Sequence, residues 1–242
     1  MLIGLPISIC APQYPAGAAF DPLSVGTPVC WLDATELTQA LNLVSAIVEK
    51  AGVSTVVINA LQTPGYTASN ADYAGAPTFD FQDLVLAQAA RISGHGLTTG
   101  AFTLVLVGDG DDGYWLAEPG GSTFVNGGGG AGAEIQATSD AGGNLFLGGG
   151  PATTASVFIV VFNGASSKIY RSALTPTTGN AGALQDLTGG TLTAGNLASA
   201  TQGAQQGGST RHLMLFNGAL SQANCEYLLN GFGDESGIAI GA

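Results

Sequence analysis

The chain has 242 residues, a length over which all-β sandwiches commonly form one domain. Only 9% of its residues are charged, against about 25% in ordinary domains, yet 45% are hydrophobic, which excludes a disordered chain. Acidic residues number 17 against Lys50, Arg91, Lys168, Arg171 and Arg211, and the net charge of −12 excludes nucleic acid and anionic membrane surfaces as partners.

Residues 1–29 carry Pro6, Pro12, Pro15, Pro22 and Pro28 with little periodicity, which predicts an extended, apolar N-terminal arm docked on a neighbouring surface. The first twelve residues hold Pro6 and have no basic residue ahead of the apolar run, so no secretory signal is expected. The folded domain is predicted over residues 30–242. Cys10, Cys30 and Cys225 are an odd set, expected as reduced thiols without a disulfide, although Cys10 and Cys30 could pair.

After a short strand at 29–33, Leu37, Leu41, Val44 and Val48 stand at helical spacing and predict a helix over about 35–50, stopped by Gly52. Strand signals follow at 53–58, 78–81, 102–107, 157–162, 168–172 and 211–216. The runs 102–107 and 157–162 are almost wholly apolar, the pattern of central strands buried on both faces. Asn163-Gly164 between two strand runs predicts a hairpin with positive φ at both turn residues. Glycine-rich loops, Asn126–Gly132 among them, separate the strands. Near the end, Ser221 as N-cap, an apolar face at Ala223, Tyr227 and Leu228, and Gly231 as stop predict one short helix.

Several segments taken in order resemble concanavalin A-like (laminin G-like) jelly-roll modules of bacteriophage virion proteins and secreted bacterial proteins. They are Trp31-Leu32-Asp33-Ala34-Thr35-Glu36-Leu37, Gly52-Val53-Ser54-Thr55-Val56, Ala76-Pro77-Thr78-Phe79-Asp80-Phe81, the strand from Phe102 to Gly108, the hairpin from Val157 to Arg171, and Leu213-Met214-Leu215-Phe216-Asn217-Gly218-Ala219-Leu220-Ser221 leading to Gly237-Ile238. The chain departs from the family pattern at Val57-Ile58-Asn59-Ala60 and at Asn224, where the closing helix commonly carries a glutamate. The resemblance implies an all-β, two-sheet antiparallel jelly-roll sandwich with a short C-terminal helix.

A glycosidase on this fold needs two carboxylates about 5–10 Å apart across the scissile bond. Glu118, Glu134, Glu226 and Glu235 are isolated in sequence, so no catalytic residue is assigned. Asp109, Asp111 and Asp112 follow a buried strand. A polar turn is the simpler reading of them, with calcium ligation the alternative. His95 in a Gly-His-Gly turn and His212 inside an apolar strand have no metal or triad spacing around them, and no Lys-Ser/Thr follows the glycine run at 126–132.

Tyr66, Tyr73, Tyr114 and Trp115 are read in or near loops, as stacking surfaces for a sugar or as interface anchors. Two non-enzymatic functions follow. The resemblance, the low surface charge and the apolar arm point to a structural protein of a phage particle, with other virion proteins and copies of itself as partners. The alternative is a carbohydrate-binding, lectin-like adhesin acting at a host surface. A virion location is expected, with the protein made in the host cytoplasm.

Overall fold

The structure is a computed structural model that describes residues 19–40, 43–47, 49–58, 65–80, 90–98, 100–110, 113–118, 123–127, 135–139, 143–148, 152–183, 185–195 and 208–242. Within them the first strands are β1 (Cys30–Asp33), β2 (Leu37–Ala40), β3 (Leu43–Ile47), β4 (Thr55–Ile58), β5 (Gly65–Asn70), β6 (Ala76–Asp80) and β7 (Ala90–Ser93). The middle of the chain gives β8 (Phe102–Gly110), β9 (Gly113–Ala117), β10 (Thr123–Gly127), β11 (Ile135–Ser139) and β12 (Asn144–Leu147). Then come β13 (Ala152–Phe162), β14 (Ser167–Arg171), β15 (Thr177–Gly179), β16 (Thr191–Ala194) and β17 (Ser209–Asn217), and the helix α1 (Gln222–Ser236).

The strands pair antiparallel into two sheets. The larger runs β15-β14-β13-β8-β17-β6-β5-β3-β2, with β1 also on β17; the smaller runs β12-β11-β10-β9-β16-β7-β4. The fold is an all-β jelly-roll sandwich with one C-terminal helix.

β8, β13 and β17 lie side by side at the centre of the large sheet. Alternate residues point to opposite faces of a strand. Leu104, Leu106, Phe158, Val160, Phe162, Leu213 and Leu215 therefore face the small sheet, where Ile92, Trp115, Val125, Ile135 and Leu192 meet them. Their neighbours Val105, Val107, Val157, Ile159, Val161, Met214 and Phe216 face outward and are covered by Cys225, Leu228, Leu229 and Phe232 of α1. Both faces are buried, which is why these strands read as continuous apolar runs.

Three local predictions are corrected. In place of a helix over 35–50 there is a 3-10 turn at Ala34–Glu36 and then the β2–β3 pair, Leu37 opposite Ile47 and Ala40 opposite Leu43. Thr38, Val44 and Ile47 are β-branched, and pairing outweighs a chance helical spacing, since propensity is a weak prior. The hairpin at Asn163-Gly164 forms, but through a longer connection at Gly164–Ser166, with positive φ at Gly164 and extended φ at Asn163. The closing helix runs past Gly231 to Gly237, whose φ of 69° makes the left-handed cap, and Ala223 is exposed rather than part of the apolar face.

Candidate functional site

α1 has two well-defined ends. Ser221 Oγ accepts from the Asn224 N–H at 3.2 Å, and beyond the last turn the Ile238 N–H donates to the Gly233 carbonyl at 2.8 Å. With the inner face fixed on the large sheet, Asn224, Glu226, Tyr227 and Asn230 are left partly exposed along the helix.

The described end of the N-terminal arm packs beside this row. Phe20 stacks edge-on against Phe232, ring centroids 4.9 Å apart, and lies 5.6 Å from the Tyr227 ring. A glycine at 231 permits this, because a Cβ there would sit 2.1 Å from the Phe20 ring. Asp21 caps the 3-10 turn at Pro22–Val25 by accepting from the Leu23 N–H at 2.9 Å. The Asp21 N–H donates to the Tyr227 hydroxyl at 3.2 Å, and that hydroxyl approaches the Asp21 carbonyl at 3.3 Å. Asn224 Nδ2 donates to the Val25 carbonyl at 3.4 Å.

Between helix and arm lies a cleft of about 370 Å³, lined by Ser24, Val25, Ala223, Asn224, Glu226, Tyr227 and Asn230. It offers one aromatic ring whose hydroxyl is already held, two carboxamides, one carboxylate and one hydroxyl. A fixed ring with a few convergent polar groups suits a ligand that has both apolar C–H faces and many hydroxyls.

A second cleft, of about 460 Å³, lies past the other end of α1, between Asp72, the start of β13 and the tail at Gly237–Ala239, with Ser156 and Ser172 in its wall. Ser172, with φ of 42°, adopts left-handed backbone in this wall, and Ala74, with φ of 54°, does so two residues after Asp72. The hydroxyls here serve the backbone: Ser156 Oγ donates to the Thr154 carbonyl at 3.0 Å, and Ser172 Oγ accepts from the Val157 N–H at 2.9 Å. Among the described residues, no aromatic lines it.

The residues singled out from sequence lie elsewhere. Trp115 is on β9 and wholly buried, its ring 4.5 Å from that of Phe158, so it is a core residue and not a loop platform. Tyr73 is also fully buried and donates from its hydroxyl to the Ser209 carbonyl at 3.1 Å. Tyr66 is half-buried on β5 against the inter-sheet core, and Tyr114 belongs to β9. Asp109, next to last in β8, accepts from the Ser209 N–H, with burial pushing its carboxyl above the ordinary range. Asp111 and Asp112 lie outside the described residues, as does most of the glycine run at 126–132. Among the described residues no three acidic, histidine or cysteine side chains group as metal ligands.

Tyr227 does pack on the apolar face of the helix as expected, but sequence reasoning missed the cleft beside it because nothing in the sequence places the arm at Asp21–Val25 against that ring. It also missed a half-buried charged cluster at the far end of α1. Asp33 and His212 stand directly opposite each other on β1 and β17, and both are buried. Lys50 Nζ reaches Asp33 at 2.7 Å, and His212 lies 3.6 Å from Asp33 and 3.5 Å from Glu235. Arg211 pairs with the Glu235 carboxylate and donates to the Glu235 carbonyl at 3.3 Å, placing a cation on the last turn of the helix. Burial alone would raise both carboxyls; His212 and Lys50 around Asp33, and His212 and Arg211 around Glu235, outweigh it and hold them below their ordinary range. This cluster locks α1 onto the sheet.

No protein-family model matches the sequence, and no curated protein does. Solved structures do match in fold. The botulinum neurotoxin type G receptor-binding domain superposes with a TM-score of 0.60 at 6% identity, over 85% of this chain and 51% of that one. A botulinum neurotoxin type C structure, whose description ties cell entry to interaction with two ganglioside molecules, gives 0.55 at 9% identity, over 85% and 51%. The binding domain of botulinum neurotoxin DC in complex with SialylT gives 0.57 at 7% identity, over 86% and 52%. The chain spans about half the length of these structures, and at such identities the likeness is one of fold alone: a β-sandwich shared with toxin binding domains.

Proposed function

We propose that this domain is a non-catalytic carbohydrate-binding module that holds a sugar in the cleft between α1 and the N-terminal arm. The observation that carries this reading is the Tyr227 ring, fixed through its hydroxyl by Asp21 and flanked by Asn224, Asn230 and Glu226. A pyranose presents an apolar face to such a ring and hydroxyls to the amides around it. Neighbours of the same fold that are described as receptor-binding, or as interacting with gangliosides, lend it support.

Resemblance to virion-borne modules gives the proposed setting, attachment of a phage particle to a host surface. A purely structural role, with other virion proteins or copies of itself as partners, would leave unused a cleft with an oriented aromatic. A printed glycan array, run with the intact chain with and without calcium, tests the reading. Binding to a restricted set of sugars that does not need calcium is expected. Absence of binding in both conditions would sink it.

A further inference from the structure

If the cleft binds sugar as proposed, its charge determines which sugars. We infer that it selects neutral glycans and rejects those carrying a carboxylate or sulfate. Among the described residues, Glu226 is the one charged side chain in its lining, and its carboxylate is steadied by Gln222 Nε2 at 2.8 Å, facing the same space as Tyr227.

All five basic residues of the chain can be placed, and none lines this cleft or the one beside Asp72. Lys50 is held by Asp33 and lies 4.3 Å above the Trp31 ring. Arg211 is buried against Glu235. Arg171 sits 6.0 Å over the Phe158 ring and Arg91 is on β7 of the small sheet, while Lys168, on β14, lies close enough to α1 for its charge to act on the Cys225 thiol but does not line the cleft. The first turn of α1 is no substitute as an anion site, since the Asn224 N–H is already taken by Ser221 and the Cys225 N–H by the Ser221 carbonyl.

An anionic sugar would therefore enter a site with a like charge, no cation in the lining, and a net charge of −12 around it. Across a sugar ring, roughly 7 Å, one carboxylate weakens binding of another by about 3- to 50-fold, depending on how well water screens the pair. Gangliosides and sialylated glycans are anionic, so this site is distinguished from the ligands named for its fold neighbours.

The test is an array on which each neutral oligosaccharide is printed beside its sialylated and sulfated derivatives, read with the wild-type chain and with Glu226→Gln. The expected result is neutral binding, at least about threefold weaker binding of the anionic partners, and a smaller gap for Glu226→Gln and at high salt. Anionic members bound as well as or better than neutral ones would overturn the selectivity and leave sugar binding standing. A gap unchanged in Glu226→Gln would overturn its assignment to this cleft. If the folded protein bound neither member, the proposed function would fail and this inference with it.

Discussion

The two faces of the large sheet are made by the same strands and do different work. On the inner face, Leu104, Leu106, Phe158, Val160 and Leu213 meet the small sheet in an apolar layer centred on Trp115. The outer face begins the same way, with Val105, Val107, Ile159 and Met214, but its cover is one helix and the end of an arm, fastened by the charged cluster around Asp33 and His212. A sheet covering a sheet leaves few openings; a single helix covering a sheet leaves clefts along its sides. The inner face therefore carries stability, and the outer face carries the candidate site.

The contrast breaks most sharply at the inner face. Phe158, buried between the sheets, should cost about 3–5 kcal/mol when replaced by alanine, read as a shifted urea midpoint. The fraction that stays folded should still bind glycan, because the ring is remote from the cleft lining.

Removing a partner from the charged cluster comes next. Asp33→Ala should cost about 2 kcal/mol, less than a fully buried ion pair because Lys50 is 36% exposed. The same carboxyls set a pH limb. Asp33 and Glu235 are held below their ordinary values of 3.8 and 4.5, so in acid the unfolded chain takes up more protons than the folded one. Stability is present above that range and falls as pH drops through it, with Asp109, raised by burial, contributing with the opposite sign. Urea titrations from pH 7 to about 3 should show the fall, and Asp33→Ala should flatten it.

A smaller loss separates binding from folding. Gly231→Ala should push Phe20 off the helix, costing about 1–2 kcal/mol in thermal unfolding while removing the arm's wall of the cleft and most of the glycan affinity. An effect on stability with no effect on binding would detach the arm from the site. Smallest in stability are the two separate buried thiols, Cys30 on the inner face and Cys225 on the outer. Burial pushes Cys225 up to about 12 and Cys30 higher still, so both should resist alkylation in the folded protein and react on unfolding, as read by peptide mass spectrometry.

The inner face was legible in the sequence and the outer site was not, for physical reasons. Runs such as 102–107 and 157–162 announce strands buried on both sides whatever lies over them. Trp115 was misread because its burial depends on β9 lying between β10 and β16, a long-range pairing that a flanking Asp-Gly turn does not reveal. Asp33 and His212 meet only through the register of β1 on β17. Tyr227 was seen in its helix, but a helical residue at the border of an apolar face reads as core until the neighbouring arm is placed.

The central claim rests on that tyrosine, and calorimetric titration of an array-identified neutral glycan into wild type, Tyr227→Phe and Tyr227→Ala tests it most directly. Tyr227→Phe keeps the ring and loses only its tie to Asp21, so affinity should fall a few-fold. Tyr227→Ala should lose about 30-fold, the roughly 2 kcal/mol of an anchor residue, with a circular dichroism spectrum like that of wild type. Undiminished affinity in a folded Tyr227→Ala protein would contradict the account and move the binding site away from α1.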